Sequence, residues 1–107
     1  MAALTGGAVI EQRDDIAIEA PALAEDGAVV PVTVTARLPG VEVVHLIGEK
    51  NPVPLIASFE FGPGMVDGRV STRIKLAESS RILVLVQASG RLYANQRFVE
   101  VTKGGCT

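Results

Sequence analysis

Few side chains in this 107-residue chain can do covalent chemistry. The sequence holds one cysteine, Cys106, and one histidine, His45. Cys106 closes the stretch Thr102-Lys103-Gly104-Gly105 and is followed by Thr107. It has no apolar sequence neighbours to be buried with, so it reads as an accessible thiol rather than a small core hydrophobe. The reactive species is the thiolate, with a free pKa near ~8.5. Lys103 favours that anion and the terminal carboxylate of Thr107 opposes it. Gly104 and Gly105 lack Cβ, so the backbone there turns freely and slips through a narrow channel without side-chain clash. From Val101 to Cys106 an extended chain spans about 17 Å. That length lets the domain stay outside while the thiol enters another protein's active site. An unpaired cysteine also fits a disulfide link to another chain, and both readings stand at this point.

Other chemistry lacks its parts. His45 lies between Val44 and Leu46 in a strand pattern, far in sequence from Cys106, and reads as structural. A zinc site needs three or four ligands from cysteine, histidine or carboxylate, and one Cys with one His falls short. Asp14-Asp15 and Glu25-Asp26 sit in loop-like segments and read as solvated. No glycine-rich loop leads into a helix, so there is no phosphate cradle. The sequence assigns no catalytic residue, no metal and no cofactor. The chain lacks the parts of a self-sufficient enzyme and reads as a handle for a thiol on an arm.

The elements that must position the thiol are strands. Aliphatic β-branched residues dominate a hydrophobic fraction of 48%, with no Trp. Alternating patterns predict strands at 16–20, 30–36, 41–48, 55–61, 70–76, 82–88 and 92–101. Pro31 belongs near a strand start or at an edge. About seven short strands with turn residues between them give an all-β fold, an immunoglobulin-like antiparallel β-sandwich. The expected division is a loose lead-in over 1–13, the sandwich over 14–101 and a flexible C-terminal arm over 102–107. A net charge of −2 offers no basic surface for nucleic acid. No apolar run reaches the ~18 residues of a membrane span. Met1-Ala2-Ala3-Leu4 is too short for a signal peptide.

Ser89-Gly90 suits a two-residue hairpin loop. That register sets Gln87 opposite Leu92, Val86 opposite Tyr93, Leu85 opposite Ala94 and Val84 opposite Asn95. One face then carries Leu83, Leu85, Leu92, Ala94 and Phe98. The other carries Ile82, Val84, Val86, Tyr93 and Val99. A sandwich strand needs only one apolar face, yet residues 82–86 are apolar on both, which points to a covering partner. The face of Ile82, Val84, Val86 and Tyr93, which also holds Asn95 and Arg97, is the expected partner interface.

Several stretches resemble the SoxY family of sulfur carriers from the bacterial thiosulfate-oxidising system. They are Val101-Thr102-Lys103-Gly104-Gly105-Cys106, Asn51-Pro52-Val53-Pro54, Phe59-Glu60-Phe61-Gly62-Pro63 and Thr72-Arg73-Ile74-Lys75-Leu76-Ala77. The family pattern ends Gly-Gly-Cys-Gly-Gly, whereas here Thr107 alone follows Cys106. The resemblance implies an immunoglobulin-like fold, a periplasmic location and a heterodimer with a small β protein, SoxZ. It implies that Cys106 receives thiosulfate oxidatively as an S-thiosulfonate, that a hydrolase then leaves a persulfide, and that other Sox enzymes process the bound sulfur. One rival is an immunoglobulin-like interaction module whose terminal Cys is incidental. Another is a Gly-Gly thiocarboxylate carrier, which needs cleavage after Gly105 and sits poorly with an all-β pattern.

Overall fold

Valine and isoleucine at every second position build two facing sheets, because branched side chains pack well on a pleated surface. The computed structural model describes residues 9–62 and 68–103, and these contain strands and no helix. In chain order the strands are β1 (Ile10–Gln12), β2 (Ile16–Glu19), β3 (Leu23–Asp26), β4 (Val30–Ala36), β5 (Val41–Gly48), β6 (Leu55–Glu60), β7 (Gly68–Ile74), β8 (Ser80–Ala88) and β9 (Arg91–Lys103). One sheet runs β1-β9-β8-β5-β6, with β3 also paired to β9, and the other runs β2-β4-β7. The architecture is the expected immunoglobulin-like all-β sandwich. All seven expected strands are present.

Two short strands were not expected. β1 and β3 both pair with β9 in parallel, β1 along Leu92–Ala94 and β3 along Glu100–Lys103. Residues 10–12 are therefore part of the sheet, although 1–13 reads as a loose lead-in. β9 likewise continues through Lys103, beyond the expected end at Val101.

The core is aliphatic. Val30, Val34 and Ile16 from the small sheet and Val44, Leu46, Ile82, Val84 and Val86 from the large one are all fully buried. Burying each such side chain contributes about 1.5–3 kcal/mol. Pro31 sits in the middle strand of the small sheet, yet β2 pairs only with Thr33 to Ala36. At Pro31 the β2 side is open, so its missing N–H breaks no ladder there.

The β8–β9 hairpin has the register expected from its two-residue loop, including Val86 with Tyr93 and Val84 with Asn95. Ser89 and Gly90 both adopt positive φ, 50° and 72°, as a hairpin turn of the primed type requires. The Pro39-Gly40 turn packs on this tip. Ser89 Oγ donates to the Pro39 carbonyl at 2.9 Å. Gly40 has φ 71°, and a Cβ there would lie 2.5 Å from Ser89 Oγ, so only glycine fits.

Candidate functional site

Gly104, Gly105, Cys106 and Thr107 lie outside the described residues; Lys103 is the last residue before them and is exposed. The root of the site is the end of β9. Val99 is fully buried and Val101 packs against the core, which plugs the end of β9 into the sandwich. From Glu100 onward the strand is also anchored by hydrogen bonds. Ser79 Oγ accepts the Val101 N–H at 2.8 Å. The Glu100 N–H donates to Ala22 O at 2.9 Å, and the Gly27 N–H donates to Lys103 O at 2.7 Å. Asp26 Oδ1 accepts the Ala28 N–H at 2.9 Å, which shapes the turn that presents Gly27.

A second shell holds that turn. The Leu76 N–H donates to Gly27 O at 2.8 Å. On either side of Leu76, the Lys75 carbonyl accepts from Asn51 Nδ2 and the Ala77 N–H donates to Asn51 Oδ1, both at 2.9 Å. The loop Asn51 opens is thus tied to the segment that fixes Gly27. Sequence reasoning missed Ser79, Gly27 and the clamping role of Asn51. Asn51 lies in one of the stretches that resemble the SoxY family, and Gly27 in a turn signal, Glu25-Asp26-Gly27, whose contacts the sequence does not disclose.

With Thr102 and Lys103 inside β9, the span left to Cys106 is three residues, about 10 Å when extended, rather than 17 Å. The body of the domain therefore has to approach closely to any site that receives the thiol.

The expected partner interface is corrected. Ile82, Val84 and Val86 have no exposed surface and point at the small sheet. Tyr93 shares their face, packs partly against the core and lies under Arg13, whose guanidinium carbon is 5.5 Å from the ring centre. The hairpin register divides the two faces as expected, but β2, β4 and β7 cover the one chosen as the interface. Leu83, Leu85, Leu92, Ala94 and Phe98 instead face outward. Leu85 is nonetheless buried, while Phe98 is 58% exposed.

His45 lies on that outer face, opposite Leu85 on one side and Ser58 on the other. Its Nδ1 is 2.6 Å from Ser58 Oγ. Burial holds its pKa below the ordinary value for histidine. That contact ties β5 to β6 across the paired row His45–Ser58. At the sheet edge Arg13 grips Asp15 through Nε and Nη2, at 3.1 and 2.6 Å. That grip lowers the Asp15 pKa. Among the described residues no three His, Cys, Asp or Glu side chains group as metal ligands. None of the described helices is long and apolar enough to cross a membrane, since there are none.

Comparison with known proteins bears on the whole chain. Residues 1–106 match the family described as sulfur oxidation protein SoxY. The sulfur carrier protein SoxY from Chlorobium limicola f thiosulfatophilum is 40% identical, with a TM-score of 0.83, over 94% of this chain and 91% of that one. A superoxide reductase (neelaredoxin) from Ignicoccus hospitalis has a TM-score of 0.63 over 86% of this chain and 94% of that one. At 16% identity the latter likeness concerns the fold alone. No curated protein sequence matches.

Proposed function

This chain belongs to the SoxY family, and from that premise we propose that it carries sulfur intermediates of thiosulfate oxidation covalently on Cys106. The observation that carries this reading is the fixed end of β9 at Lys103, three residues before the only thiol in the sequence. The domain holds the strand rigidly, and Gly104-Gly105 gives the thiol a narrow, side-chain-free lead.

In the loading step the Cys106 thiol and thiosulfate form a sulfur–sulfur bond. One proton and two electrons leave, and a partner oxidoreductase accepts the electrons. The product is an S-thiosulfonate. Water then cleaves its bond to the sulfonate sulfur in a hydrolase, releasing hydrogen sulfate and leaving a persulfide on Cys106. Chemistry takes place in the partner enzymes, and this chain presents the sulfur.

The carrier works in the periplasm as a heterodimer with a SoxZ-like β protein. The outer face of the six-stranded sheet, with Leu83, Leu92, Ala94 and Phe98, suits that partner. Exposed apolar surface on Phe98 and on Leu55 supports the placement.

Intact-mass spectrometry after incubation with thiosulfate and the oxidising partner tests the reading. Added mass located on Cys106, and absent from Cys106→Ser, is the expected result. An unmodified thiol, with sulfur oxidation retained by Cys106→Ser, overturns it and leaves an interaction module with an incidental cysteine.

A further inference from the structure

Among the described residues β7 is an edge strand of the small sheet. Its side chains alternate, with Val70 and Ile74 buried and Arg69, Ser71 and Arg73 exposed. The exposed series continues to Lys75. At about 3.3 Å per residue, Arg69 to Lys75 covers roughly 20 Å. Among the described residues no carboxylate pairs with any of these three cations, because the ion pairs present belong to Arg13 and Arg81. Glu19, on the far strand of the same sheet, is the acid in the paired rows of this face, opposite Thr33. Two strand spacings, about 9.6 Å, separate its backbone from β7. Between the arginines the face is polar but uncharged, with Thr33 Oγ1 3.0 Å from Ser71 Oγ. A hollow of about 520 Å³ opens beside Arg73.

The spacing decides the class of ligand. Cations that clamp one small oxoanion converge on it from several sides, whereas these three lie in one line, Arg69 and Arg73 about 13 Å apart and Arg73 and Lys75 about 6.6 Å. A row of separated cations matches an extended acidic protein surface instead. The row also leads toward Lys103, the last described residue of β9. Leu76, next to Lys75, donates to Gly27 O, and Gly27 donates to Lys103 O. A protein that receives Cys106 within about 10 Å of Lys103 has to bring its rim against this end of the small sheet.

We propose that Arg69, Arg73 and Lys75 form an electrostatic docking strip for the acidic rim of the enzyme that receives Cys106, an inference that rests on the carrier reading. The strip lies on the small sheet, whereas the apolar surface assigned to the lasting partner lies on the large one. The two contacts can therefore be made at once.

The test compares wild type, Arg69→Glu/Arg73→Glu/Lys75→Glu and Cys106→Ser as full chains with the purified Sox enzyme that joins thiosulfate to the carrier. Association rates are measured at low and high salt, and mass added to Cys106 is read separately. The expected result is an association rate at least about tenfold lower for the charge-reversed chain at low salt, with the gap closing at high salt. Cys106→Ser should associate like wild type. Unchanged melting and unchanged alkylation of Cys106 by iodoacetamide show that the reversed chain is folded and its thiol accessible. Equal association of reversed and wild-type chains overturns the strip, as does a loss that salt does not alter. If the reversed chain merely self-associates while docking is unchanged, the cations guard a free edge and the proposal fails. A carrier reading that fails by itself shows as salt-dependent docking with no mass on Cys106.

Discussion

The carbonyl of Lys103 accepts the Gly27 N–H at 2.7 Å, which ties the last residue of β9 to the turn after β3. The turn that looks like a plain Asp-Gly punctuation mark in the sequence is the collar from which the last four residues depart.

Ser79→Ala removes the acceptor of the part-buried Val101 N–H. It should destabilise the domain by about 1–2 kcal/mol and speed amide exchange at Val101 and Lys103 ahead of the rest of β9. Urea melts and hydrogen exchange by NMR check both. Unchanged exchange at Val101 shows that water replaces Ser79 at no cost.

Asn51→Ala cuts both links between its loop and the Lys75–Ala77 segment. A loss of about 1–3 kcal/mol is expected, and each kcal/mol lowers Tm by about 4–8 °C in a domain of this size. Asn51→Asp keeps the acceptor for Ala77 N–H but not the donor to Lys75 O, so it should fall between alanine and wild type.

Val84→Asp and Leu92→Asp separate the two faces of the hairpin. Val84 is fully buried, and an unpaired carboxylate there should cost more than about 4 kcal/mol and abolish folding. Leu92 is on the outer face, so its substitution should leave a folded chain that binds the proposed SoxZ-like partner weakly. Circular dichroism and co-purification read the two effects apart. Full association by a folded Leu92→Asp chain removes that residue from the interface.

The pH dependence of stability should carry the mark of His45. Its pKa is depressed in the folded chain from 6.5 by burial, so in the window below 6.5 the unfolded chain binds the proton first. Stability is then fully present above pH 6.5 and is lost as pH falls toward the folded value. Denaturant melts between pH 7.5 and about pH 5 should show this fall, and His45→Gln should flatten it. An equal slope in the variant assigns the fall to carboxylates.

Much of this fold is legible in the sequence because the signals are local. A two-residue loop fixes the register of Val86 with Tyr93, and alternation in Val30-Pro31-Val32-Thr33-Val34 fixes the strand. Which face of β8 turns inward is not local. Ile82, Val84 and Val86 are no more apolar than Leu83 and Leu85, and only the position of the small sheet decides between them. β3 escapes for a related reason. Leu23-Ala24-Glu25-Asp26 has a weak pattern, and its partner is about 77 residues away, at Glu100 to Lys103. The thiol itself is plain from composition, whereas Ser79 and Asn51 are ordinary loop residues until their partners are seen.

The arrangement around β9 also sets how the domain answers a pull. If Cys106 enters and leaves a partner's channel as proposed, tension on withdrawal runs along β9 toward Lys103. That strand is laced lengthwise to β8 over Arg91–Val99 and to β3 over Glu100–Lys103. Force along the strand loads these bonds sideways and together, instead of peeling them off one after another. A pull on the end of β9 is therefore shared across both ladders, and the domain behind it stays folded.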